Sequence, residues 1–424
     1  MGQDASETRR HDADWRFYRW LGGIAIFALV VRLAMRLVVG TDTFWTDGYS
    51  MYVLLAESLS SGHGYAFPGE PPTAFRVPLY PMFIAALTGG ARNAWVLITA
   101  QALISSGTAV IAGLIARRMG GSLAGLLAAV IYAAWPYEAW HDVSLQESGL
   151  FAFLAALATL LLLAQRQSRS VWLALLAGAV LGAALLTRAT LAPYAVLALI
   201  CLLLPDRNHA LGRRMISAAL TLAALATVLS PWLERSHRLT GRTTLGTESG
   251  AALYAGNHRL TFSAYPERSI DISRRNIFAA HTPQEQAELA RLGADQAAVS
   301  DWYRDQAIRA IMENPGRFAI GALRKIWAAF GPLPTPRHGL LADLAYAVCW
   351  VPFFALALAG LWLQRKQWRD DLLLHAHLIT FAATTALFWA QTSHRSYLDP
   401  YLAVFAAITL AALFPQRWRN RLES

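Results

Sequence analysis

Apolar residues run along this chain in long, nearly uninterrupted stretches rather than in the alternating or one-sided helical patterns of half-buried elements. A helix that crosses a hydrocarbon core needs about 20 such residues, within a range of about 17 to 25. By that measure spans fall at roughly 20–39, 94–116, 121–136, 148–165, 171–187, 190–204, 215–232, 343–363, 372–390 and 397–414. The polar start, with Arg9, Arg10, Arg16 and Arg19, leads into a span too long for a signal-peptide core and without a small-residue cleavage site, so an uncleaved first helix is expected. The pattern predicts an all-α, polytopic membrane protein with about ten transmembrane helices. It divides into an N-terminal transmembrane module (1–232), a region 233–342 holding one long extracytoplasmic helical loop, and a C-terminal transmembrane module (343–424).

Composition agrees with that division. Hydrophobic residues make up 55% and charged residues 15%, which excludes a disordered chain and an ordinary soluble domain with its quarter or so of charged residues. The net charge of +10 comes from 35 Arg and 2 Lys, much of it in short clusters beside apolar runs. Ten spans starting from a cytoplasmic N-terminus put Arg117/Arg118, Arg166/Arg169, Arg207/Arg213/Arg214, Arg365/Lys366/Arg369 and Arg417/Arg419/Arg421 inside, as membrane orientation requires. That is a membrane pattern, and no nucleic-acid partner is expected.

Parity also settles two doubtful stretches. Pro78–Leu87 and Phe318–Phe330 are too short to span, and counting either would invert every later cluster, so both read as helices lying at the outer interface. In the second, Arg317, Arg324 and Lys325 lie near one face, while Phe318, Leu323, Ile326, Trp327 and Phe330 supply apolar surface. Upstream, Thr282-Pro283-Gln284-Glu285 reads as a helix start with a capping box, and Asn314-Pro315 as a helix end. Cys201 and Cys349 both sit in apolar segments and support neither a disulfide framework nor a thiolate metal site.

Polar chemistry is concentrated in the outer connections, at about 40–93, 137–147, 188–189, 233–342 and 391–396. Apart from Arg32 and Arg36, the span middles lack Asp, Glu, Lys and Arg, whereas an ion-coupled transporter keeps carboxylates or broken helices near the midplane. Arg36 reads as snorkelling to the headgroups. Arg32 is deep enough to need an internal partner. His375 and His377, two apart on a helix, point to opposite sides and make a poor metal pair. With no HExxH, P-loop, Asp-x-Asp or Cys/His cluster, neither a metal nor a cofactor is expected.

The first outer loop is the most informative segment. It contains Thr46-Asp47-Gly48-Tyr49, a helical stretch to Leu59, Gly62-His63-Gly64-Tyr65, and Arg76-Val77-Pro78-Leu79-Tyr80. This block resembles the C-type glycosyltransferases that use polyprenyl-phosphate sugars, such as protein O-mannosyltransferases and lipid A aminoarabinose transferases. Val77 departs from the family's usual Pro and leaves the Arg in place. Weaker likenesses follow in order at Pro136…Gln146-Glu147, Leu186-Thr187-Arg188, Ser230-Pro231-Trp232, Gly256-Asn257 and His394-Arg395…Pro400.

The resemblance implies a bacterial inner-membrane enzyme with cytoplasmic termini and a periplasmic active site. It would pass a monosaccharide from a polyprenyl-phosphate carrier to a lipid, glycan or protein acceptor, by metal-independent single displacement with inversion. A lipid-linked sugar flippase or another transporter is the rival reading. Asp47 is the implied base; alternatively or in addition it N-caps the helix Gly48–Leu59. Glu147 either shares that role or stabilises a helix N-terminus, with Glu138 and Asp142 as nearby substitutes. Arg76, Arg395 and Arg188 are the implied phosphate ligands, through charge-assisted, often bidentate hydrogen bonds. Tyr65, Tyr80, Asn257 and His258 are candidate substrate contacts, although Gly256-Asn257-His258 reads equally as a turn. Glu57 reads as a solvated carboxylate. The topology predicts that reporter fusions after Gly90 and within 337–342 both lie outside; a cytoplasmic signal from either breaks the ten-span arrangement.

Overall fold

The computed structural model describes residues 2–46, 49–205 and 209–416, with side chains from Asp14 onward. In chain order the helices are α1 (Gly2–Val39), α2 (Met51–Ser60), α3 (Leu79–Thr88), α4 (Ala94–Ala134), α5 (Pro136–Asp142), α6 (Ser148–Ser168), α7 (Val171–Thr187), α8 (Ala192–Leu203) and α9 (Leu211–Thr240). They continue as α10 (Glu248–Asn257), α11 (Ile270–Ala279), α12 (Pro283–Leu292), α13 (Gln296–Glu313), α14 (Pro315–Phe330), α15 (Leu340–Leu363), α16 (Leu372–Leu387), α17 (Thr392–Arg395) and α18 (Asp399–Leu413). No strand occurs among the described residues. Among the described residues, six helices are long and apolar enough to cross a membrane, and α7, α8 and α16 are shorter apolar helices beside them.

α4 is one of the six, and it is two helices rather than one. Gly121 has φ 82° and ψ −178°, a conformation open essentially to glycine alone. Beyond it the chain turns back, so a Cβ on Gly113 would lie 3.0 Å from the Gly125 carbonyl and 3.2 Å from Ala129. Residues twelve apart in a straight helix would be separated by about 18 Å. The expected spans 94–116 and 121–136 are therefore the two arms of this hairpin, and the ten expected spans match ten apolar helical segments. Two limits shift: α9 runs on to Thr240 through Pro231, and α2 begins at Met51 rather than Gly48. The Thr282 capping box and the helix end before Pro315 are present as expected.

Between helices without a water-driven force to join them, close packing needs small residues. Gly178 and Gly182 of α7 provide it against α9. A Cβ on Gly178 would lie 2.1 Å from the Thr221 carbonyl, and one on Gly182 would lie 2.9 Å from Val228. Gly360 does the same for α15 on α18, where a Cβ would lie 2.0 Å from the Phe405 carbonyl.

The connections gather at two ends. At one end, Arg117 pairs with Asp14, Arg166 donates to the Arg369 carbonyl and Arg169 to the Leu202 carbonyl. At the other, the first loop meets 135–147, and the long region 241–339 folds over both. Lys325 of α14 is buried there, and its ammonium donates to the Gly256 and Leu387 carbonyls and the Asn257 Oδ1. One cation thus serves the C-terminal ends of α10 and α16, where helix dipoles favour positive charge.

Gly178→Val should push α7 away from α9 and cost about 1–3 kcal/mol. Gly22→Ala, where a Cβ meets nothing within 4 Å, should be neutral or slightly stabilising. Thermal unfolding in detergent checks the pair, and equal melting temperatures would contradict the packing argument.

Candidate active site

The deepest polar group at the loop-rich end starts from Arg32. Its side chain is wholly buried and donates to Ser105, to the Ala28 and Ala133 carbonyls and to Asp142, with both Asp142 contacts at 2.9 Å. Asp142 also accepts from Ser105. Next to it, the Gln101 amide donates to the Asp142 and Ser144 carbonyls and accepts from the Tyr80 hydroxyl at 2.7 Å. Arg32 thus has the internal partner its depth demands. Arg36 differs from expectation: it is fully buried, with its guanidinium 4.9 Å from the Phe44 ring centre, because the first loop closes over the helix end and blocks the route to headgroups.

This network fixes residues 135–147 and so places Glu147 just before α6. Arg188, at the end of α7, donates twice to Glu147 Oε1, at 3.0 and 2.5 Å, while Glu147 Oε2 accepts from no other residue among those described. Burial alone would raise the Glu147 carboxyl, but Arg188 and Arg76 outweigh it and hold it at about 2.

Arg76 reaches the same site from the first loop. Its Nε and Nη2 donate to the two carboxylate oxygens of Glu248 at 2.5 and 2.8 Å, and Nη1 donates to the Tyr52 hydroxyl at 2.9 Å. The Tyr49 ring lies 5.3 Å from its guanidinium carbon. Arg274 stands 3.6 Å from Glu248. Tyr49 feels the charges of Glu147, Arg76 and Arg188, and burial pushes its phenol up to about 12. His394 of α17 lies within range of the same three charges. Tyr49, Tyr52, Arg76, Glu147, Arg188, Glu248 and His394 therefore form one partly open, arginine-rich recess.

The long region roofs this recess. The Thr247 amide donates to the Ala74 carbonyl and the Glu248 amide to Phe75, and Gly246 passes so close that a Cβ would lie 2.9 Å from the Phe75 carbonyl. Arg235 donates to the Thr73 and Tyr65 carbonyls.

The remaining sequence candidates lie as follows. Asp47 and Gly48 fall outside the described residues, but Tyr49, two positions on, is in the recess, and Ser50 occupies the N-cap position of α2. Arg395 is fully buried, donating to Asp399 and Tyr346 at 3.2 Å each and stacked 3.5 Å from the Trp350 ring centre. Beside it Glu138 is buried against Asp399, and burial, then the charges of Asp399 and Asp142, keep its carboxyl well above the usual carboxylate range. Tyr65 donates its hydroxyl to the Arg76 and Val77 carbonyls, and Tyr80 to Gln101. Asn257 is tied to the Leu253 and Leu387 carbonyls and to Lys325. His258 accepts from the Leu260 amide. Glu57 pairs with Arg92 at the surface. His377 stacks between Tyr194 and Tyr401 and bonds Thr159, while His375 faces the Asp371 carbonyl. No group of three metal-ligating side chains occurs among the described residues.

Because Glu147 is more acidic folded than unfolded, its contribution is present above about pH 4.5 and lost as pH falls towards 2. The full contribution is about 3 kcal/mol. Glu147→Gln should melt earlier than the parent near neutrality, and the gap should narrow below about pH 4.5. Melting temperatures across that range decide the matter; a constant gap would assign the loss to packing.

With this geometry in hand, residues 75–233 match the family described as dolichyl-phosphate-mannose-protein mannosyltransferase. No curated protein sequence matches. Among solved structures, the oligosaccharyltransferase AglB from Archaeoglobus fulgidus, in complex with an inhibitory peptide and a dolichol-phosphate, is 14% identical with a TM-score of 0.56, over 95% of this chain and 51% of that one. The apo form of the Archaeoglobus fulgidus oligosaccharyltransferase gives 14% identity, the same coverage and a TM-score of 0.59. The chain thus spans about half the length of the oligosaccharyltransferase it resembles. Taken together, the chain has the C-type glycosyltransferase fold and, over residues 75–233, the likeness to the mannosyltransferase family that its first-loop motif implies.

Proposed function

We propose that this protein is an integral membrane glycosyltransferase that moves a monosaccharide from a polyprenyl-phosphate carrier to an acceptor at the outer face of a bacterial inner membrane. The observation that carries the reading is the convergence of Arg76 and Arg188 on one recess with Tyr49 and Tyr52 of the first loop, roofed by the long loop. Both guanidiniums are partly open, with side chains 19% and 12% exposed, and both are held by carboxylates that a phosphate can replace.

In the reaction an acceptor oxygen loses its proton to Asp47 and attacks the anomeric carbon. The bond from that carbon to the phosphate oxygen breaks, and the phosphate departs with the bonding electrons, its new charge held by Arg76 and Arg188. A general base works best with a pKa near the working pH, and Arg188 and Arg76 hold the Glu147 carboxyl below the usual carboxylate range, so the base role is assigned to Asp47. The part of Glu147 is to orient Arg188 and, through the unused Oε2, the acceptor. Arg395 is wholly buried on Asp399, whereas Arg76 and Arg188 are partly exposed, so the phosphate role is assigned to those two.

Purified protein in lipid, given a panel of polyprenyl-phosphate monosaccharides and cell-envelope extract as acceptor, should release free polyprenyl phosphate. Asp47→Asn and Arg76→Ala should each lower the rate by about 100-fold or more, and Arg395→Ala should act through lost stability instead. Full turnover by Asp47→Asn would remove the assigned base. Donor binding without release would favour a transporter, and neither binding nor release by folded protein would end the transferase reading.

A further inference from the structure

Away from the recess, a cavity of about 50 Å³ opens between the end of α10 and the start of α14. His258, Arg259, Phe262, Arg317 and Phe318 line it. Arg259 and Arg317 are exposed, and neither is paired with a carboxylate among the described residues. Arg324 adds a third cation, with its guanidinium 3.9 Å from the Phe262 ring centre. The nearby Glu285 is committed to the Thr282 capping box. The volume is that of a small anion, and the charge is uncompensated.

What adjoins the cavity narrows the choice of anion. Ile320, Leu323 and Trp327 of α14 are 64%, 70% and 67% exposed and form one stripe along the helix. At 100° per residue, Arg317 and Arg324 fall between that stripe and the buried face bearing Gly321, Lys325 and Ala328. The order across the helix is therefore cavity, arginine row, apolar stripe. A free anion would use the first two and leave the stripe in water. A bilayer phospholipid uses all three, with phosphate at the arginines and acyl chain along the stripe.

We propose that this cavity and the α14 stripe together bind one anionic phospholipid of the surrounding leaflet. The site is separate from the sugar-transfer recess, and its test reads lipid retention rather than turnover, so its failure leaves the transferase reading untouched.

The experiment is native mass spectrometry of the full chain titrated with phosphatidylglycerol, phosphatidylcholine or inorganic phosphate. The parent should hold one phosphatidylglycerol in preference to phosphatidylcholine by roughly tenfold or more. Arg259→Gln with Arg317→Gln should abolish the preference, and Leu323→Glu should weaken retention although both arginines remain. Arg291→Gln, an exposed change on α12, should leave the preference intact. Melting temperatures confirm folding, and Arg317→Gln alone decides if the double variant does not fold. The proposal is overturned by a parent without preference, by an equal loss in Arg291→Gln, by displacement of the lipid with millimolar inorganic phosphate, or by full retention in Leu323→Glu.

Discussion

A guanidinium cannot stay charged inside an apolar helix bundle unless its surroundings neutralise it and occupy its donors. Arg32 imposes that requirement on the loop-rich end of this protein. Asp142, Ser105 and two helix carbonyls answer it, and in doing so they tie the first helix to the α4 hairpin and to α5. Gln101 extends the tie to the Ser144 carbonyl and, through Tyr80, to the first-loop helices. Glu147 is three residues from Ser144, so the position of the recess depends on an ion pair that no substrate would touch. Replacing one partner would leave the other charged, buried and alone, which costs about 3–5 kcal/mol.

The long region supports the recess from the other direction. Arg76 lies on a loop with little regular structure, and its direction is set by Glu248, which is 172 residues away in sequence. Backbone pairing of 247–248 with 74–75 brings that carboxylate to the arginine, and the absent side chain of Gly246 makes the approach possible. A roof held by main-chain bonds keeps its register whatever side chains face outward. The segment at α17 that carries His394 is fixed similarly, by exchange of hydrogen bonds between Thr335 and Thr392.

What was legible in the sequence follows from how local each determinant is. Span lengths, the Thr282 capping box and the stop at Pro315 depend on neighbours within a few residues, and the folded chain has them. The pair of spans around residue 120 was legible too, since Arg117 and Arg118 interrupt the apolar run there, and the folded chain turns at Gly121. Arg76 and Arg188 stood out because arginine at an outer helix end invites an anion. Glu248 did not, because one Glu in a polar loop looks like any other until the fold delivers it. Arg395 shows the converse. Its motif resembled a phosphate ligand, but Asp399 one turn later pairs with it inside the bundle, and nothing in the local pattern distinguishes an arginine facing inward from one facing the site. Gly256-Asn257 likewise serves a junction: a Cβ on Gly256 would meet the Phe388 carbonyl at 1.9 Å, so the conspicuous glycine reflects helix contact.

The charge arrangement of the recess bears on how it would turn over. Arg76 and Arg188 each hold a carboxylate before any phosphate arrives, so binding is an exchange of anions and not the filling of an empty positive site. The carboxylates balance the charge before a ligand arrives, which limits the cost of leaving two arginines partly buried. Exchange also limits affinity, since each phosphate contact must replace an existing one. For a leaving group that is bound and then released in every cycle, that is an advantage: interactions that strengthen only as charge develops on the phosphate favour the transition state over both substrate and product. Glu147, held strongly acidic by the same arginines before the carrier binds, can take Arg188 back when the carrier departs.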